Sequence, residues 1–153
     1  MQEREAAGVL RDTAAIRTPF YVVDETLLKK NLEILKDTAE RAGCRILLAQ
    51  KAFSMYSVYP LIRQYLSGTA ASGLYEARLG KTEFGGETHV FSAAYRPDEF
   101  DEILNYADHI VFNTPGQVLK YGEKVKKAGK QAVWLAEHNL TPDKIVTMKS
   151  FEN

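Results

Sequence analysis

The chain has 153 residues, 45% hydrophobic and 26% charged, which is the composition of a soluble globular domain. Its 20 basic and 20 acidic side chains cancel to a formal net charge of zero, which argues against nucleic acid or an anionic membrane as the main partner. The single cysteine cannot form an internal disulfide, and the three histidines show no metal-ligand spacing with it. Neither a signal peptide nor an apolar membrane span is predicted. We therefore expect a cytoplasmic protein without a zinc site.

Hydrophobic periodicity predicts a regular alternation of strands and helices. A short apolar strand at 20–23 precedes a helix that Asp24 caps and Gly43 ends. A strand at 45–50 is followed by a helix that Gly68 closes. The later predicted elements are a strand at 68–73, a helix at 74–86, a strand at 88–94, a helix from Pro97, a strand at 109–113, a helix from Pro115 to Gly129 and a strand at 131–136.

The spacing of these strands indicates successive βα units. Strand starts at Ile46, Thr69, His89, His109 and Gln131 are separated by 23, 20, 20 and 22 residues, the repeat length of a parallel α/β chain. Two architectures satisfy this pattern. One is a complete five-stranded doubly wound sheet, for which roughly 150 residues suffice, and the other is the first part of an eight-stranded barrel, which needs about 250.

Lys51 comes directly after the predicted strand at 45–50. Alternation along that strand puts Leu47, Ala49 and Lys51 on one face. In a barrel such a row points inward, where a low dielectric favours the neutral amine that imine chemistry requires. The structural alternative is a lysine whose ammonium reaches solvent from the end of a strand. The residue pattern alone leaves both interpretations open.

Polar groups also follow the next strands. Ser72 comes after the second strand with Glu76 one turn further on, Ser92 after the third, and Asn113 after the fourth. The carboxyl ends of parallel strands form the site in either architecture, so these residues are candidates for ligand contacts. Ser72 also fits a helix cap, and Glu76 also fits an ordinary helix carboxylate paired with a nearby cation.

Five stretches of the sequence are similar to one known family. They are "TPFYVVDETLLKKNLEIL", "ILLAQKAFS", "GTAASGLYEARLG", "FGGETHVFSAAYRPDEFDEIL" and "DHIVFNTPGQ". In the same order and spacing, over about 17–117, they resemble the amino-terminal part of the carboxynorspermidine (carboxyspermidine) decarboxylases.

The resemblance implies a cofactor, a fold and a reaction. The family depends on pyridoxal 5'-phosphate and has a fold-type III, alanine-racemase-like (β/α)8 TIM-type barrel with a second β-domain. Lys51 matches the family's Schiff-base lysine, and we expect Ser72 and Asn113 to contact the cofactor. The implied reaction converts carboxynorspermidine or carboxyspermidine, small polyamine precursors, to norspermidine or spermidine. A homodimer is expected for the full-length family.

We expect the resemblance to end near Gln131, so that later barrel strands and the β-domain lie outside the chain. This predicts an amino-terminal extension at 1–16 and an incomplete pyridoxal-phosphate barrel domain of about five βα units at 17–153. Two other interpretations stay open. One is a non-catalytic α/β binding module with a doubly wound sheet, and the other is a different fold-type III enzyme, such as diaminopimelate decarboxylase or an amino-acid racemase.

Overall fold

The computed structural model of the protein describes residues 16–134. Within this range five helices alternate with five strands, as the periodicity predicts. In chain order the elements are α1 (Glu25–Ala42), β1 (Leu47–Ala49), α2 (Tyr59–Ile62) preceded by a 3-10 turn (Tyr56–Val58), β2 (Gly68–Ala71), α3 (Leu74–Leu79) continued by a π-helical turn (Gly80–Phe84), β3 (Glu87–Phe91), α4 (Pro97–Tyr106), β4 (His109–Phe112), α5 (Pro115–Lys127) and β5 (Gln131–Trp134). None of the helices in this part of the chain combines the length and apolar character needed to cross a membrane.

The five strands form one parallel sheet in the order β1-β2-β3-β4-β5. A doubly wound sheet of flavodoxin type has the order 2-1-3-4-5, because its winding reverses direction after the first crossover. Here each crossover adds its strand next to the preceding one and always in the same direction across the sheet. Right-handed βαβ units produce this order when the direction of winding does not reverse. The doubly wound alternative is therefore wrong, and the sheet is singly wound.

The helices cover one face of the sheet, and the main core lies beneath them. Four strand residues on that face are buried against α3, α4 and α5: Ala71, Val90, Ile110 and Phe112. Aromatic rings fill the middle of this layer. The Phe100 ring stacks on Tyr121 with centroids 4.1 Å apart, and Tyr95 meets Phe100 edge-on at 5.3 Å. Burial of these large rings, together with the aliphatic residues around them, holds the helices to the sheet.

The opposite face of the sheet, which we call the open face, is only half-buried. Its residues alternate along the strands with those of the covered face and share an intermediate exposure; they include Leu47, Ala49, Ala70, His89, Phe91, His109 and Val111. A parallel sheet is normally covered on both faces, and its strands are apolar on both. The open face has the apolar composition of a covered one, interrupted by Glu87 and two histidines.

Most predicted helix boundaries are confirmed. Asp24 Oδ1 accepts hydrogen bonds from the amides of Thr26 and Leu27 at 2.8 and 3.0 Å, and so caps α1. Gly43 ends α1 in the left-handed region with φ of 61°, a conformation that favours glycine. Thr114 caps α5 through a hydrogen bond from the Gln117 amide to its Oγ1 at 3.2 Å.

Two sequence predictions in the amino-terminal half are wrong. The apolar run at 20–23 forms no strand, and the Tyr21 side chain is 94% exposed, because no strand of the described range lies beside this segment to pair with it. Gly68 closes no helix, although it begins β2 as the predicted strand at 68–73 requires. The physical reason lies in the sheet, where a Cβ at Gly68 would lie 2.0 Å from the carbonyl oxygen of Glu87 on β3.

The turn between α3 and β3 yields a prediction about stability. A Cβ at Gly80 would lie 2.3 Å from Thr69 Oγ1 and 3.0 Å from Gln50 Nε2, so Gly80→Ala forces a rearrangement of buried groups. We expect it to lower the free energy of unfolding by about 1–3 kcal/mol.

The matched control is Gly122→Ala in the middle of α5, where the nearest atom to a new Cβ is Val118 Cγ1 at an ordinary 3.8 Å. Removing a glycine from a helix interior should raise stability by up to about 1 kcal/mol. Urea unfolding of both variants measures the difference. Equal effects of the two substitutions would contradict the close packing around Gly80.

Candidate active site

Lys51 lies where β1 turns away from the sheet. The Gln50 amide donates to the Ala70 carbonyl at 3.1 Å, which extends the pairing with β2 by one residue. The amides of Ala52 and Phe53 then both donate to the Ala49 carbonyl, at 3.0 and 3.2 Å, and close a tight turn. Lys51 occupies this turn with its side chain exposed. The predicted low-dielectric surroundings are therefore absent from the described part of the chain, and the ammonium reaches solvent.

Gln50, the residue before the lysine, is buried and tethers the turn. Its side chain is 1% exposed. Its Nε2 donates to the Glu76 carbonyl at 2.8 Å, and its Oε1 accepts from the Tyr59 hydroxyl at 3.3 Å. The sequence interpretation passed over Gln50. The available signal was its alternation with Lys51, which puts a polar side chain on the helix-covered face, where it must find partners.

Ser72 follows β2 and connects to the same region. The Ser72 amide donates to Glu76 Oε2 at 2.7 Å. Glu76 therefore binds the end of β2 through its carboxylate and the Gln50 side chain through its backbone carbonyl. The capping residue of α3 is Gly73, and it makes no side-chain cap hydrogen bond, which makes the cap interpretation of Ser72 wrong. The alternative pairing of Glu76 with a cation is also wrong, because the neighbouring cations Arg78 and Lys81 pair with other carboxylates.

Asn113 follows β4 and has an unsatisfied side-chain oxygen. Its amide donates to Gln117 Oε1 at 3.0 Å, and Gln117 Nε2 donates to the Ala93 carbonyl at 2.8 Å. One glutamine thus joins the segments that follow β3 and β4. Asn113 Oδ1 is buried and has no hydrogen-bond partner within residues 16–134. A buried acceptor without a donor is costly, and it suits a ligand that brings one.

Tyr95, another residue near the strand ends, is structural. Its hydroxyl lies 2.8 Å from the Val90 carbonyl and 2.9 Å from the Val111 carbonyl, and so links β3 to β4. Burial raises the pKa of Tyr95, and the hydrogen bonds lower it by less. Tyr95 stays neutral, because its pKa is raised and its hydroxyl is hydrogen-bonded to two carbonyls. The adjacent Arg96 forms exposed ion pairs with Asp98 and Glu99.

The open face carries a polar cluster below the level of Lys51. His89 on β3 and His109 on β4 are register partners, and their rings stack with centroids 4.0 Å apart. His89 Nε2 lies 3.1 Å from Glu87 Oε2, and Arg45 pairs with the same carboxylate. Burial lowers the pKa of His109, and the neighbouring His89 lowers it further. The register puts both histidines level with Ala49, two residues before the lysine.

Comparison with known proteins identifies the relatives of this chain. It is 42% identical over 106 residues to a carboxynorspermidine/carboxyspermidine decarboxylase of Herminiimonas arsenicoxydans, over 69% of the chain. It is 34% identical over 149 residues to the enzyme of the same name from Campylobacter jejuni, over 90% of the chain. The chain is homologous to the carboxynorspermidine/carboxyspermidine decarboxylases. The resemblance seen in the sequence is confirmed, although no family model matches the chain.

One further protein and one crystal structure are also similar to this chain. A carboxyaminopropylagmatine decarboxylase of Synechocystis is 39% identical over 119 residues, which is 78% of the chain. The crystal structure of Campylobacter jejuni carboxynorspermidine decarboxylase complexed with norspermidine superimposes with a TM-score of 0.73 and 37% identity. That superposition covers 76% of this chain and 31% of the crystallised one.

The chain spans 29%, 31% and 39% of the lengths of these three relatives. The Campylobacter jejuni match also bears on where the resemblance ends. A match to 90% of the 153 residues leaves about 15 unmatched, fewer than the 22 that follow Gln131. The match to this relative therefore extends some way past Gln131.

The buried tether of Gln50 gives a second prediction. Gln50→Leu removes the donor to the Glu76 carbonyl and the acceptor for the Tyr59 hydroxyl, so we expect a loss of about 1–3 kcal/mol in the free energy of unfolding. The control is Gln64→Leu, an exposed glutamine whose Nε2 also donates to a backbone carbonyl, that of Pro60, at 3.2 Å. It should change stability by less than about 0.5 kcal/mol. Thermal or urea unfolding distinguishes the two, and a neutral Gln50→Leu would refute the tether.

Proposed function

We propose that this chain is part of a pyridoxal-phosphate-dependent decarboxylase that forms norspermidine or spermidine from carboxynorspermidine or carboxyspermidine. The observation that carries the proposal is the position of Lys51. In a chain homologous to these decarboxylases, a lysine follows the carboxyl end of a parallel strand, where α/β folds bind their ligands. Its side chain is exposed at that edge, where a ligand can reach it.

We further propose that the sheet is part of a (β/α)8 barrel, with residues 17–153 in the barrel domain and 1–16 as an extension. The sequential parallel strand order and the helices on one face both support this. So does the apolar character of the open face, which becomes the interior when further strands close the sheet. A closed barrel would also give Lys51 the low dielectric that the five strands alone do not provide.

The residues present suit the cofactor. Lys51 supplies the amine that attaches it, the exposed Ser72 hydroxyl is a donor at the adjacent strand end, and the unpartnered Asn113 Oδ1 is an acceptor one strand beyond β3. When bound, pyridoxal phosphate supplies an electron sink for the pair left by the departing carboxylate. These three residues would hold it, and the cofactor assignment rests on the homology together with this donor and acceptor set.

Gln50 and the tight turn that follows β1 position Lys51. Gln50 and the tight turn at 49–53 hold its backbone in one place, while the four methylenes of Lys51 leave Nζ free to approach or leave a ligand. That amine can also hold or release a proton at Nζ, the role that a positioned lysine has in acid–base steps. Glu76 keeps the ends of β1 and β2 together, so Lys51 and Ser72 work from one rigid edge.

A second substrate is favoured by one relative. The Synechocystis protein is named for carboxyaminopropylagmatine and is similar over more of the chain than the Herminiimonas arsenicoxydans enzyme. Carboxyaminopropylagmatine is therefore the alternative substrate. We propose in addition a homodimer acting in the cytoplasm, in keeping with the biosynthetic enzymes to which the chain is homologous.

Cofactor attachment tests the role of Lys51. We expect pyridoxal phosphate followed by borohydride to label Lys51 in the purified chain in preference to the exposed lysines of α1, because the turn holds it beside Ser72. Peptide mapping by mass spectrometry locates the label. Lys51→Arg should abolish the preferred label and Lys30→Arg should leave it unchanged. A label spread evenly over the surface lysines would contradict the assignment.

Activity is tested in a complete barrel. Residues 17–134 of this chain would replace the matching residues of the Campylobacter jejuni decarboxylase, and release of carbon dioxide from the three candidate substrates would be measured. We expect decarboxylation of carboxynorspermidine or carboxyspermidine, and a loss of at least about 100-fold in the Lys51→Arg chimera. A folded chimera that turns over only carboxyaminopropylagmatine would favour the alternative, and one whose activity survives Lys51→Arg would refute the catalytic lysine.

A further inference from the structure

The polar cluster on the open face has the arrangement of a three-ligand metal site. Glu87 and His89 are two residues apart on β3, so both side chains emerge on the same face. His109 is the register partner of His89 on β4. One ligand atom from each residue lies within 4.8 Å of the other two. Two ligands from one strand and a third from its neighbour surround one point above the sheet.

The distances are close to those a bound ion requires. Two donors bonded tetrahedrally to one Zn2+ at about 2.0–2.1 Å lie about 3.4 Å apart. The Glu87 and His89 donors are already 3.1 Å apart. The widest separation in the group exceeds this spacing by about 1.4 Å at most. The two stacked rings must tilt apart for both imidazole lone pairs to reach one ion.

The charges around the cluster allow a metal ion to replace the ion pair between Arg45 and Glu87. The charged groups facing the cluster are Arg45, which pairs with Glu87, and Asp108, which pairs with Lys81 at 3.0 Å. The Arg45 side chain is 61% exposed, and an exposed ion pair contributes only about 0–1 kcal/mol. A metal ion bound by three ligands can therefore displace Arg45 from Glu87.

We propose that Glu87, His89 and His109 bind one divalent transition-metal ion, with Zn2+ as the preferred ion and Co2+ as its spectroscopic substitute. Two imidazoles and a carboxylate suit Zn2+ better than Mg2+ or Ca2+, which prefer oxygen ligands only. Three protein ligands leave a fourth position for water. The site is separate from Lys51, since its histidines lie one layer of side chains below the lysine on the open face.

The test is metal titration of the full 153-residue chain, produced without a histidine tag and treated with a chelator that is then removed. Calorimetry with Zn2+ should give one site per chain, and Co2+ should give the intense visible absorption of tetrahedral coordination. His89→Gln and His109→Gln should each weaken Zn2+ binding by more than about 10-fold, since even a lost outer-shell partner costs about 10–100-fold. The matched control is Cys44→Ser, which removes an exposed thiol near Arg45 and should leave affinity unchanged.

Circular dichroism checks that each variant folds, and Glu87→Gln provides a second, milder probe because it keeps the shape of the side chain. Weakened binding in all three ligand variants supports the site. Absence of a Zn2+ site in the folded chain would overturn the proposal. So would binding that survives both histidine substitutions, or binding that is lost with Cys44→Ser.

Discussion

The register between neighbouring parallel strands is the constraint on which the other features of this protein depend. Each strand pairs with the next in sequence, and because side chains alternate along a strand, the register decides which residues share a face. The same pairing buries Val90 and Ile110 beneath the helices and brings His89 to His109 on the other side. A slip of one residue would exchange the two faces. Core and candidate sites are therefore specified by one set of backbone hydrogen bonds.

Side chains at the carboxyl edge then lock adjacent strand ends together. Glu76 joins the ends of β1 and β2, Tyr95 joins β3 to β4, and Gln117 joins the segments beyond them. Each of these groups makes at least one hydrogen bond to a backbone atom of a strand or of the segment that follows it. Lys51, Ser72 and Asn113 lie along this carboxyl edge. Their own side chains make none of the hydrogen bonds that link the strand ends.

Much of this could be predicted from the sequence, because it depends on local chemistry. The helices at Asp24, Pro97 and Pro115 follow from caps and apolar spacing, and the lysine at the end of β1 follows from its motif. Winding direction could not be predicted, since both sheet types have the same βα spacing. Gln50 was missed because its partners, Tyr59 and Glu76, come from elements whose contact depends on packing. Gly68 was misassigned because its role comes from the close approach of β3.

The histidine pair shows a subtler limit. His89 and His109 are both predicted strand starts, so their alignment is implicit in the 20-residue spacing. Distance along the chain from Cys44 does not reveal this, because a parallel sheet brings together residues one βα unit apart. Histidines at equal positions of successive units are therefore neighbours whatever their separation in sequence.

Single winding also determines how the described region loses structure. Each strand bonds only to the units on either side of it, so the sheet behaves as a short linear array whose stability is a sum of unit and interface contributions. β3, with a partner on both sides and buried aromatic rings next to it, needs both interfaces broken before it can open. Within the described residues alone, β1 and β5 each need only one, so local opening begins at these two strands and reaches the histidine pair last. Closure into the proposed barrel would give both strands a second partner and remove these edges.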